Sequence, residues 1–96
     1  MRRTLAAAIG GVSVAAAVVA AAEPPAGAAS CSGCHPSTAR VASPVPRLAG
    51  LDRVAIVRAM QDFRSGQRVA TVMDRIAKGF TDDEIQAIAA WYASQR

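Results

Sequence analysis

Both cysteines of the chain and its only histidine fall in one five-residue stretch, CSGCH, at residues 31–35. Elsewhere the 96 residues offer no soft metal ligand except methionine sulfur. A chain of this length builds at most one small domain, whose apolar core is marginal without a staple. The stretch therefore constrains the fold as well as the chemistry. A disulfide between Cys31 and Cys34 would close a loop too short to stabilise the chain much, so another staple is expected.

The N-terminus reads MRRTLAAAIGGVSVAAAVVAAAEPP. Arg2 and Arg3 precede an apolar run from Leu5 to Ala22, and Glu23 with two prolines follows. A basic start, an apolar middle and small residues at the end predict a secretory signal peptide. Two A-x-A frames fit, ending at Ala22 and at Ala28. The first is preferred because it leaves some chain ahead of Cys31. The expected division is thus a signal peptide at 1–22, or cleavage after 28, and a domain at 23–96 in the bacterial periplasm. An uncleaved anchor is the competing reading. The run reaches the lower limit for spanning a bilayer, but most of it is alanine, which is barely apolar. No stable membrane span is expected after cleavage.

The leader also distorts the composition. Its alanines inflate the 52% hydrophobic content, and losing Arg2 and Arg3 leaves 9 basic against 7 acidic side chains, a net charge of +2 rather than +4. There is no basic run with interleaved aromatics, so nucleic acid is not an expected partner.

Every proline of the chain lies between residues 23 and 50, with Gly27, Gly33 and Gly50, so this half is expected to be irregular. From Asp52 the pattern changes. DRVAIVRAMQDFRSG places Val54, Val57, Met60 and Phe63 at three-residue steps, with Ile56 beside Met60 across one turn, an amphipathic helix with Asp52 as N-cap and Gly66 as stop. TDDE at 81–84 reads as a capping box for a second helix, whose stripe is Ile85, Ile88, Ala89 and Tyr92. Between the two, QRVATVMDRIAKG predicts a short helical turn with loops. No segment of the domain alternates with period two. The fold class is all-α with long loops.

C-x-x-C-H is the covalent attachment motif for haem c. Two thiols three positions apart can reach the two vinyl groups on one haem edge, and the next residue turns its imidazole to the iron. A redox dithiol would want a βαβ pattern, absent here. A structural zinc site wants four ligands, and three are present. A plain disulfide leaves His35 unexplained. One covalent haem, on Cys31 and Cys34 with His35 on the iron, is the expected cofactor, and a large apolar disc would be the missing staple. The second axial ligand has to be a methionine, the usual partner in electron-transfer cytochromes. Met60 sits in the apolar stripe of the first helix and suits core packing. Met73 sits in the loop-rich linker and is favoured on position. With both axial positions filled, electron transfer is expected rather than catalysis by the chain alone.

CSGCH, PRLAG and VMDRIAKGFTDDEIQAIAAWYASQR together resemble the class I cytochromes c, over residues 31–96. The resemblance implies a small cytochrome c fold, helices and long loops wrapped around one haem. It implies that the Pro46 carbonyl accepts the hydrogen bond of His35, that Leu48 packs on the haem, and that Met73 is the axial methionine. FRSGQRVATVMDRIAKGFTDDEI further resembles the cytochrome subunit of flavocytochrome c sulfide dehydrogenase. That family implies a sulfide-oxidising, FAD-containing flavoprotein partner and a downstream soluble electron acceptor. The c4 and c553 groups share P-x-LAG and F-x-x-G, so a free electron shuttle without a flavoprotein is the alternative. Many sulfide dehydrogenase cytochromes have two haem domains, whereas this chain has one C-x-x-C-H. Only EPPAGAAS lies between the preferred cleavage site and Cys31, little chain for the helix the family places there.

Overall fold

The computed structural model describes residues 7–17 and 23–96. Arg2, Arg3 and the Ala20–Ala22 cleavage frame of the expected leader lie outside the described residues. Residues 7–17 are exposed and without regular secondary structure. Among the described residues, no helix is long and apolar enough to cross a membrane. The elements are α1 (Ala28–Cys31), α2 (Arg53–Ser65), α3 (Met73–Ala77) and α4 (Asp82–Ser94). No strand occurs among the described residues, in line with the all-α expectation.

The two long helices begin and end where local chemistry dictates. The Asp52 carboxylate accepts from the Ala55 N–H at 3.0 Å, and Gly66 closes α2 in the left-handed conformation, φ 80°, where a side chain would be strained. At α4 the Thr81 hydroxyl accepts from the Glu84 N–H at 3.2 Å, and Asp82, Asp83 and Glu84 fill the positive first turn. Each such cap contributes about 1 kcal/mol.

α2 packs against both α3 and α4. The α4 stripe is buried as its spacing implies, through Ile85, Ile88, Ala89 and Tyr92. The α2 stripe needs correction. Val54 is 70% exposed, and the buried residues are Ile56 and Val57, with Met60 packed behind them. Steps of three drift backwards by about 60° each on a helix of 3.6 residues per turn. Val54 therefore falls off the face that Ile56, Val57 and Met60 share. Arg53 Nη2 adds a 2.9 Å hydrogen bond to Gln86 Oε1, tying α2 to α4 on the outside.

The segment before Cys31 is better ordered than its prolines and glycines imply. α1 is one turn long, and Ala28 is fully buried against Ile88, Ala89 and Tyr92. Tyr92 Oη donates to the Ala28 carbonyl at 2.5 Å. Gly27, at φ 84°, turns the chain into α1 under the Phe80 ring, where a Cβ would stand 2.5 Å from a ring carbon. A residue with a side chain would be strained there and would also collide with the ring.

The resulting core is thin. Its buried members are Ala28, Ile56, Val57, Ile85, Ile88, Ala89 and Tyr92, and no large side chain is fully buried. Cys31, Leu48, Met60, Phe80 and Trp91 lie half-covered against it.

Candidate functional site

α1 delivers CSGCH as a continuation of its own turn. The Cys31 carbonyl accepts from the Cys34 N–H at 3.2 Å and from the His35 N–H at 2.9 Å. The stretch is wound helically, so Cys34 follows Cys31 by one turn and His35 leaves the same turn. Tyr92 braces it from α4. Its hydroxyl spends its proton on Ala28, so the Ser32 hydroxyl, 3.0 Å away, donates to it.

Both cysteines are free thiols. Cys34 is exposed, whereas Cys31 is half-buried. Burial pushes the Cys31 thiol above the ordinary thiol range, against the smaller opposing pull of hydrogen bonds from its own backbone and Ser30. The Cys31 sulfur lies 3.7 Å from the Gly27 carbonyl oxygen.

His35 is oriented from the opposite side. Its Nδ1 lies 2.5 Å from the Pro46 carbonyl oxygen, and since a carbonyl only accepts, Nδ1 carries the proton. In the neutral imidazole this leaves Nε2 with its lone pair free, the form that ligates a metal. The Pro46 turn is itself anchored, because Gly50 N–H donates to the Tyr92 carbonyl at 3.0 Å and Leu51 N–H to the Leu48 carbonyl at 3.1 Å. α4 thus holds both the thiol turn and the turn that aims the histidine.

A cleft of about 310 Å³ lies beside these turns, lined by Ala28, Ser32, His35, Pro36, Leu48, Trp91 and Tyr92 among others. It brings His35 and Leu48 to one wall. Neither cysteine nor Met73 borders it. Met73 opens α3 on a separate arm and is half-buried. Met60 is packed against the core cluster.

The donor chemistry fits a haem: two unpaired thiols at i and i+3, an imidazole oriented through Nδ1 by a carbonyl, and a thioether at the start of α3. Two buried polar atoms lack a partner among the described residues, Arg47 Nε and Asp74 Oδ1. One adjoins Pro46 in sequence and the other Met73. Neither residue was singled out from the sequence. An arginine after a proline and an aspartate at a helix start look like ordinary surface there.

Comparison with known proteins agrees with this geometry. No protein-family model matches the chain. The cytochrome subunit of sulfide dehydrogenase from Chlorobaculum tepidum is 40% identical over 65 residues, covering 68% of this chain and 59% of that protein. The thiosulfate dehydrogenase electron acceptor of Stutzerimonas stutzeri is 40% identical over 65 residues, 66% of this chain and 30% of that one. Cytochrome c-554(548) of Halomonas halodenitrificans is 33% identical over 69 residues, 68% of this chain and 83% of its own length. The chain belongs to the class I c-type cytochromes. It spans less than two thirds of the first two relatives. Its cofactor is haem c, and Cys31 and Cys34 have the spacing of the attachment pair.

An intact mass measured under denaturing conditions on protein matured with haem attachment is expected to show one haem retained on the chain. A haem-free mass from cells with working cytochrome maturation would contradict the assignment.

Proposed function

We propose that this chain is a periplasmic electron-transfer cytochrome acting as the haem subunit of a sulfide dehydrogenase, receiving electrons from an FAD-containing flavoprotein and passing them to a soluble acceptor. It is not an enzyme on its own in this reading. When bound, the haem supplies a one-electron couple. The chain's residues do the rest. Cys31 and Cys34 would hold the haem covalently, His35 and Met73 would ligate its iron, Pro46 would keep the ring of His35 oriented, and Leu48 would pack against the haem.

The observation that carries the subunit reading is the arm around Met73. Val69, Val72 and Ile76 are 96%, 52% and 38% exposed, and the neighbouring Arg68, Arg75 and Lys78 are exposed too. An apolar patch with a basic rim suits docking, the rim steering the encounter more than it holds the complex. The likeness to the C. tepidum subunit supports a sulfide-oxidising partner. The alternative, a free shuttle, is favoured by the match along 83% of cytochrome c-554(548).

The leader reading is also ours. Cleavage after Ala22 keeps Gly27 and the buried Ala28, whereas cleavage after Ala28 would remove the carbonyl that Tyr92 holds. In the mass spectrum described above, a chain starting at Glu23 supports this and one starting at Ala29 contradicts it.

Met73→Ala is expected to abolish the weak thioether-to-iron charge-transfer band and lower the reduction potential, while Met60→Leu keeps both. Loss of the band in Met60→Leu instead would reverse the ligand choice. For the function, the protein is purified from its native periplasm and sulfide is added. A co-purifying flavoprotein and sulfide-dependent haem reduction are expected. If no flavoprotein co-purifies and sulfide leaves the haem oxidised, the shuttle reading replaces this one.

A further inference from the structure

The arm at 67–81 is tied at both ends to the same turn of α2. At its start, Arg68 N–H donates to the Asp62 carbonyl at 3.1 Å, and the Arg68 guanidinium sits 5.2 Å over the centre of the Phe63 ring. At its end, Arg64 Nη1 meets Asp82 Oδ1 at 2.6 Å and Arg64 Nη2 donates to the Phe80 carbonyl at 2.5 Å. Asp62, Phe63 and Arg64 are consecutive, so one turn of helix closes the whole excursion.

Between those ends α3 packs against α2, but few side chains of the arm are buried. Ala77 is its one fully buried residue among those described, while Val69, Val72 and Ile76 face outward. Three of its apolar side chains are thus turned away from the core, while Phe80 at its end packs partly against it. Arg64 is suited to compensate. Its planar fork reaches a carbonyl and a carboxylate at once, which a lysine ammonium would not do with the same geometry.

We propose that Arg64 is a positioning residue for Met73: by closing the arm against α2, it sets how readily the methionine leaves the haem iron. The inference rests on Met73 being the axial ligand. An iron–thioether bond that opens with its arm competes poorly with an added ligand, and the apparent affinity of that ligand scales with the fraction of molecules whose arm is open.

The test titrates imidazole into the ferric holoprotein and follows loss of the methionine charge-transfer band. Arg64→Gln is expected to tighten apparent imidazole binding about threefold to tenfold, the range for one or two partly exposed hydrogen bonds. Asp82→Asn keeps the Phe80 bond and is expected to change it about twofold, since its partner is exposed. Two controls separate clasping from general loosening. Asp83→Asn removes the same charge from the same turn of α4 without touching Arg64, and Arg53→Ala cuts the Gln86 bond between α2 and α4 away from the arm. Both are expected to bind imidazole as the wild type does. Wild-type affinity in Arg64→Gln would overturn the proposal, as would an equal rise in Arg53→Ala. Should Arg64→Gln not accumulate, Asp82→Asn against Asp83→Asn decides in the same way. If the band survives in Met73→Ala, both the ligand assignment and the clasp fail. If it is lost there but Arg64→Gln leaves imidazole affinity unchanged, only the clasp fails.

Discussion

A turn of chain carrying two thiols and an imidazole has no core of its own and must be held from outside. Here α4 holds it twice. Tyr92 bonds through its hydroxyl to Ala28 and Ser32, and through its carbonyl to Gly50, beyond the turn whose Pro46 carbonyl orients His35. One buried tyrosine thereby couples the attachment turn to the turn that sets the tautomer of the ligand. Losing its hydroxyl would leave the Ala28 carbonyl and the Ser32 hydroxyl without that partner, a penalty of about 1–3 kcal/mol where the group is buried.

The other half of the site is built differently. α2 supplies a rigid base, and the Met73 arm is hung from its last turn. The histidine side is fixed by several bonds to a buried element. The methionine side is held by a surface clasp, by Ala77 and Phe80, and by the packing of α3 on α2. If His35 and Met73 hold the iron as proposed, such asymmetry would give one firmly supported ligand and one more dependent on its surroundings. The exposed Val69, Val72 and Ile76 lie on this same support.

What could be read from the residues follows how local the cause is. The ends of α2 and α4 were legible because Asp52, Gly66, Thr81 and Glu84 act within one turn. The α4 stripe was legible for the same reason. Val54 was misplaced because a strict three-residue step was followed past the width of the buried face. α1 was invisible: four residues after a glycine carry too little pattern, and its stability comes from Tyr92, 64 positions away. The bond from His35 to Pro46 followed from family resemblance alone, since nothing in the spacing of the two residues requires it. The Arg64 clasp joins residues 16 and 18 apart across two loops and had no local signal.

The thinness of the core bears on the whole account. Five large side chains are buried, Ile56, Val57, Ile85, Ile88 and Tyr92, few for a domain of this size, and a small domain with so little apolar burial needs a staple. In this account the covalent haem is that staple, which makes attachment a condition of folding rather than a decoration of a finished fold. The far-ultraviolet circular dichroism of Cys31→Ser/Cys34→Ser, compared with the haem-loaded protein, tests this most directly. The account expects the haem-free chain to lose most of its helical signal at ordinary temperature. A helical spectrum equal to that of the loaded protein, melting cooperatively, would contradict it.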